Sequence, residues 1–269
     1  NMPVNIAIDG PAGAGKSTVA KRIAEEFGYL YVDTGAMYRA MALFFLQKGI
    51  DGRDEAAIEA ACREVSVSLE YRDGAQQVLL NGENVTGRIR TEEVSRMASV
   101  TSVYRAVREK LVQQQRELAR RRDVVMDGRD IGTAVLPDAT LKVYLTASSR
   151  VRALRRFKEL KERGEEVNLE AIEEEIIRRD ERDMNRALSP LKRADDAVLL
   201  DSSEMTLEEV LREMEELVED AGRRGCGGCW RGGRPPVLSD KSKQSLNSGR
   251  CGICFFDVKG RNRCPRSFF

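Results

Sequence analysis

The stretch Ile6–Thr18, IAIDGPAGAGKST, constrains this chain more than any other. A run of apolar and β-branched residues breaks into a loop holding Gly10, Gly13 and Gly15, and helical periodicity begins only after Lys16-Ser17-Thr18. Gly10, four residues, then Gly15-Lys16-Ser17 meets the P-loop pattern, with the required strand before it and helix after it. Backbone N–H groups wrap a phosphate only where no β-carbon blocks their approach. The helix that follows adds the positive end of its dipole. The loop Gly10, Pro11, Ala12, Gly13, Ala14, Gly15, Lys16, Ser17 and Thr18 is therefore expected to cradle nucleotide phosphates. Lys16 would reach the β- and γ-phosphates, and the Ser17 hydroxyl would hold Mg²⁺.

Composition narrows the chemistry. There is no histidine among the 269 residues, so histidine-based acid–base or metal chemistry is excluded and the work falls to Lys, Arg, Asp, Ser and Mg²⁺. No segment approaches the ~20 apolar residues of a membrane span, and nothing at the start reads as a signal peptide, so a cytoplasmic protein with no membrane association is expected. The net charge of +1 conceals two unlike parts: from Gly222 onward there are 11 Lys and Arg against 2 acidic residues, leaving 34 against 42 before it. Five of the six cysteines also lie beyond that point. Residues 1–221 are expected to form the folded domain. Cys62, its single cysteine, reads as a small buried hydrophobe.

The body alternates strand and helix, as a parallel sheet with crossover helices does. Asn5–Asp9 reads as a first strand buried on both faces, and Lys16–Phe27 as a helix with Val19, Ala20, Ile23, Ala24 and Phe27 on one side. A second short strand, Tyr29–Val32, runs into Asp33-Thr34-Gly35-Ala36-Met37-Tyr38-Arg39 at the end where open α/β sheets bind ligands. Thr34 and Arg39 are thus candidates for a second substrate, Thr34 equally suiting a helix N-cap. Two alternating runs with Asp73-Gly74 and Asn81-Gly82 turns mark an antiparallel insertion, taken as about residues 63–103. Helical patterns follow over Thr91–Val103 and Tyr104–Arg121. Val124–Met126 is a buried strand ending in Asp127-Gly128-Arg129-Asp130, charges of both signs at the mouth of the sheet. Leu141–Leu145 is another core strand, and Ala197–Leu200 the last, with a final helix opening at Thr206. Between them, two arginine-rich helix ends flank a polar turn, as a lid over phosphates would, taken as about residues 155–167. Most of those arginines fit a solvated face better than a site.

Four motifs at these separations, GPAGAGKST, VDTGAMYR, MDGRDIG and RDERDMNRALSPL, resemble the bacterial cytidylate kinases, with the β-rich insertion in the same place. The resemblance covers residues 3–221. It implies an α/β fold of the P-loop NTPase type: three layers around a central parallel sheet, with a small antiparallel insertion and a short lid. It also implies ATP-dependent phosphorylation of CMP and dCMP, with ATP and Mg²⁺ required, by a monomer with no specific nucleic-acid partner. Carried over by motif, Thr34, Ser99, Arg108 and Asp130 or Asp127 would surround the cytosine, and Asp183 would hold the ribose hydroxyls. Arg39, Arg129 and Arg186 would grip the acceptor phosphate, with Arg179 or Arg182 nearby, and Lys16, Arg129, Arg182 and Arg186 would serve transfer. Phosphoryl transfer needs positioning and charge neutralisation more than covalent help, and arginine's planar fork binds phosphate oxygens in pairs. Alternatives are a P-loop kinase directed to UMP or AMP, or a nucleic-acid-associated P-loop protein using the basic tail. The tail, 222–269, has Cys226-x-x-Cys229 and Cys251-x-x-Cys254 at near zinc-ribbon spacing, but its Gly, Arg, Pro and Ser richness favours disorder.

Overall fold

Strand β1 (Asn5–Asp9) is the axis of the molecule. Its residues alternate between two cores: Ile6 and Ile8 pack on one side of the sheet and Ala7 on the other, all essentially without exposure. A strand buried on both faces must lie mid-sheet, and β1 pairs in parallel with β6 (Val124–Gly128) and β7 (Leu141–Thr146). With β2 (Leu30–Asp33) and β8 (Val198–Asp201) at the edges, the five-stranded order is β2-β6-β1-β7-β8, parallel throughout. The computed structural model describes residues 3–72 and 75–225.

Helices cover both faces. On one side α1 (Lys16–Phe27) and α8 (Leu207–Gly225) close over Ile6, Ile8, Val125, Val143 and Leu145. The expected α1 stripe is the buried one, although Phe27 is only partly covered. On the other side α2 (Thr34–Gln47), α3 (Glu55–Glu64), α4 (Glu92–Thr101) and α5 (Arg105–Arg121) build the larger core around Phe45, Met37, Met41 and Leu111. Cys62 is buried in that core as a free thiol, pushed up to about 11 chiefly by its burial. Helices α6 (Ser149–Glu162) and α7 (Leu169–Asn185) form a helical hairpin that turns through Gly164. Helix α6 thus persists through most of the segment expected as a polar lid, and the break is confined to about Arg163–Asn168.

The inserted strands form a separate antiparallel sheet, β3 (Val67–Arg72), β4 (Ala75–Leu80) and β5 (Glu83–Asn84). Asn81 and Gly82 turn from β4 to β5 with φ of +49° and +86°, the pair of positive values that a type I′ hairpin needs and that Asn-Gly supplies. Tyr71 and Gln76 face each other across β3 and β4. The Tyr71 hydroxyl donates to the Tyr31 carbonyl at 2.5 Å and the Gln76 amide oxygen accepts from the Asp33 N–H at 3.0 Å, so the small sheet docks on the free edge of β2. The Asp73-Gly74 turn and the tail from Cys226, with its paired cysteines, lie outside the described residues. Helix α8 runs to Gly225, four residues past the expected end of the domain. Among the described residues no helix is long and apolar enough to cross a membrane.

Candidate active site

The carboxyl ends of β1, β2 and β6 deliver Asp9, Asp33 and Asp127 to one rim of the sheet, Asp9 opposite Gly128 and Asp33 opposite Asp127 in register. Above that rim lies a cavity of about 590 Å³. The glycine loop crosses its floor. Gly10, at φ +148°, passes so near β7 that a β-carbon there would strike the Leu145 carbonyl oxygen. Gly15, at φ +88°, is the N-cap of α1 and turns the chain into the helix. No side chain caps α1, so its first N–H groups are left for an anion.

The side chains on this floor are committed to one another. Lys16 is buried and its Nζ donates to the Pro11 carbonyl at 2.7 Å. Burial first, and then the Arg129 guanidinium, push the lysine down to about 7. The Ser17 hydroxyl donates to Asp127 Oδ2 at 2.7 Å, and the Tyr31 hydroxyl to Oδ1 at 3.1 Å. Burial, with Asp33 nearby, raises Asp127 to about 6. The Asp127 carbonyl takes the Thr34 hydroxyl at 2.6 Å. Thr34 is therefore the first residue of α2 rather than its cap, the capping carboxylate being Asp33, which accepts from the Ala36 N–H at 2.8 Å. Asp9 accepts the N–H groups of Ile131 and Gly132 at 2.8 and 2.7 Å, fixing the short π-helical turn Ile131–Val135 under the cavity. Burial nevertheless lifts Asp9 to about 6, the two N–H bonds acting in the opposite sense.

The far wall is built from guanidiniums held by too few carboxylates. Asp130 is bracketed by Arg108 and by Arg186, the latter at 3.4 Å, and Asp183 accepts from Arg129 Nε at 2.9 Å. Asp33 pairs with Arg39 at 3.2 Å. Arg179 is half-buried with no acid hydrogen-bonded to it, and burial followed by the Arg129 charge lowers it to about 10. Arg39 Nε, Arg179 Nε, Ser99 Oγ and the Tyr38 hydroxyl are all buried with no hydrogen-bond partner. All four residues line the cavity. A buried donor left unmade costs about 1–3 kcal/mol, more where the group is charged, so these atoms mark where a polar ligand belongs.

Most residues singled out in the sequence meet here. Ala12 to Thr18, Thr34, Arg39, Ser99, Arg108, Asp127, Arg129, Asp130, Arg179, Asp183 and Arg186 all line the cavity. Gly10 and Pro11 lie behind it, as the turn and as the acceptor for Lys16. The two open choices separate. Asp130 joins Arg108 and Arg186, whereas Asp127 is taken up by Ser17 and Tyr31 on the phosphate-loop side. Arg179 faces the cavity, and Arg182 does not: it is exposed and its Nε donates to the Arg178 carbonyl. The reason is helical phase, since Arg182 stands about 100° around α7 from Asp183.

Sequence reasoning missed Tyr38, although it lies inside VDTGAMYR, and Asp9, whose place at the end of the first strand was its only signal. It also missed the apolar flank of the cavity, Met205, Leu207 and Val210, which falls at a turn and helix start having no motif.

A sequence model of the cytidylate kinase family matches residues 6–220. This chain belongs to the cytidylate kinase family. Among curated members, a cytidylate kinase of Caldicellulosiruptor bescii is 50% identical over 214 residues, spanning 80% of this chain and 95% of that protein. One of Bacillus licheniformis is 48% identical over 220 residues, 81% of this chain and 97% of the relative. One of Bacillus subtilis strain 168 is 46% identical over 220 residues, 82% and 98%. The family match ends at residue 220, inside α8, so the basic cysteine-rich tail lies beyond it.

Proposed function

We propose that this chain transfers the γ-phosphoryl group of ATP to CMP and dCMP, giving the diphosphates. The observation that carries this reading is the pairing of two unlike walls in one cavity. A glycine loop with an uncapped helix N-terminus faces a group of arginines whose buried N–H groups lack partners. The first suits a polyphosphate and the second a phosphate monoester dianion. The acceptor phosphate is already nucleophilic at neutral pH, so no general base is needed and the absence of histidine costs nothing.

Lys16 would leave the Pro11 carbonyl for the β- and γ-phosphates. Arg129, Arg179 and Arg186 would take the charge that spreads over the transferring oxygens, with Arg39 on the acceptor phosphate. Asp130, Arg108, Ser99 and Thr34 would surround the cytosine, whose carbonyl, ring nitrogen and amine match a guanidinium, hydroxyls and a carboxylate. Asp183 would accept from the ribose, and the apolar flank at Met205, Leu207 and Val210 would receive the adenine. Ser17 and Asp127 suit Mg²⁺: an oxygen-only pair, bonded at 2.7 Å, whose carboxylate is raised to about 6 by burial and by the neighbouring Asp33, a position a divalent cation would relieve. The ion would neutralise charge on the donor phosphates.

We further propose that the antiparallel insertion and the α6–α7 hairpin close over the two nucleotides and exclude water. The cavity is complete within one chain, so a monomer suffices, and both substrates suit a cytoplasmic enzyme. The test is ATP-dependent turnover of CMP, dCMP, UMP and AMP by the full chain. Preference for the cytidine nucleotides is expected; equal turnover of AMP would overturn the cytidine assignment, and no turnover of any would overturn the kinase.

A further inference from the structure

Arg152 does not line the cavity, yet its side chain is only 7% exposed and meets three separate parts of the active-site frame. It leaves α6 in the first turn. Its Nε donates to the Ala147 carbonyl at 2.8 Å, at the end of β7. Its Nη1 donates both to the Ala12 carbonyl in the phosphate loop, at 3.0 Å, and to Asp180 Oδ2 on α7, at 2.6 Å. Asp180 is equally buried, at 7%, and its other oxygen has no partner. Gly13 lies against the same arginine: a β-carbon there would sit 3.4 Å from Arg152 Cβ.

The position of Asp180 on α7 is what gives this cluster its meaning. It directly follows Arg179 and stands three residues before Asp183, the two residues by which α7 enters the cavity. At about 100° per residue, fixing the direction of Asp180 fixes the rotation of α7 and hence the aim of both. A buried ion pair contributes little net stability, and apolar side chains of similar volume would hold the helices at least as well. What apolar residues or a lysine cannot supply is a planar fork that bonds a loop carbonyl, a strand-end carbonyl and a carboxylate in set directions. We propose that Arg152 and Asp180 are a positioning pair that ties the phosphate loop to α7 and so aligns the donor phosphates with the acceptor phosphate. This rests on the kinase reading above.

The test is steady-state kinetics of the full chain as wild type, Asp180→Asn, Arg152→Lys, Arg152→Met and the double variant Arg152→Met/Asp180→Asn, with folding checked by circular dichroism. Misalignment by about an ångström costs on the order of 100-fold in rate. We expect each single variant to lose about 10- to 100-fold in kcat, while KM for ATP and for CMP each moves less than about threefold. The double variant should be no slower than the slower single variant, since either change opens the same link. Wild-type kcat in a folded Asp180→Asn protein, a loss carried by KM, or multiplicative losses in the double variant would each overturn the pair. If Asp180→Asn does not fold, Arg152→Lys, which keeps the buried positive charge but not the fork, decides by the same criteria. An active wild type with unaffected variants removes the positioning pair alone; a wild type inactive toward all four monophosphates removes the kinase reading and the pair with it.

Discussion

The two walls of the cavity keep their polar groups in different states. On the phosphate-loop wall the side chains Lys16 and Ser17 already have protein partners, the Pro11 carbonyl and Asp127, and only the first N–H groups of α1 stay open. On the opposite wall Arg39, Arg179, Ser99 and Tyr38 each retain a buried atom with none. The first wall is shaped by backbone and strand ends, with the Lys16 side chain folded back onto the Pro11 carbonyl. The second stores its readiness as unmet hydrogen bonds among partly neutralised guanidiniums. On the reading proposed above, donor and acceptor recognition would be built by different means in one site: backbone geometry for one, unsatisfied side-chain hydrogen bonds for the other.

Substitutions can break this contrast. The largest effect is expected for Lys16→Ala, which should lower kcat by at least ~10²-fold through lost charge stabilisation in the transition state; near-wild-type kcat in a folded variant would show that the loop is not the donor site. Arg179→Met should raise KM for CMP by about 10-fold or more and lower kcat as well, because its buried Nε has no partner in the free protein and is left for the ligand. Comparable KM values for CMP in variant and wild type would remove Arg179 from the acceptor wall.

Smaller changes sharpen the contrast. Ser99→Ala should weaken CMP binding by about 3- to 10-fold, one neutral hydrogen bond's worth, while leaving thermal stability unchanged or slightly higher, since the hydroxyl is unpaired in the free protein. A clear loss of stability without change in KM would mean that the hydroxyl serves the fold. The smallest effect concerns Asp9, whose carboxyl is raised from 3.8 to about 6 in the folded chain. Because the folded state holds that proton more tightly, its stabilising contribution is complete below about pH 4 and is lost as pH rises through about 6. The melting temperature of wild type relative to Asp9→Asn should therefore fall by a few degrees across that interval. A constant difference would show that Asp9 titrates normally.

Much of the frame was legible in the chain because its signals are local. Helix Lys16–Phe27 begins and ends where glycines 15 and 28 allow, and the core strands read as apolar runs within a residue or two of their ends. The site was legible as far as motifs reach. What local pattern could not decide depended on which neighbour a side chain meets: Asp127 and Asp130 lie three residues apart at the same strand end, yet one turns to Ser17 and the other to Arg108. Arg152 was hidden for the same reason. Within Arg150, Arg152, Arg155 and Arg156 nothing in composition separates the buried arginine from Arg150 and Arg156, which pair with surface glutamates. Solvation of the run as a whole was the sound expectation, and burial of one member follows only from the packing of α6 against the phosphate loop.

The docking of Tyr71 and Gln76 on β2 has a consequence beyond the reach of catalysis. An edge strand with bare N–H and C=O groups is a template on which another chain can add a strand. Here the Tyr31 carbonyl and the Asp33 N–H are occupied by side chains of the small sheet. The insertion thereby covers part of the β2 edge as well as lining the cavity through Ser95, Ala98, Ser99 and Ser102. Were the small sheet to leave β2, both groups would be bared and the edge would become a border on which a second molecule could add a strand.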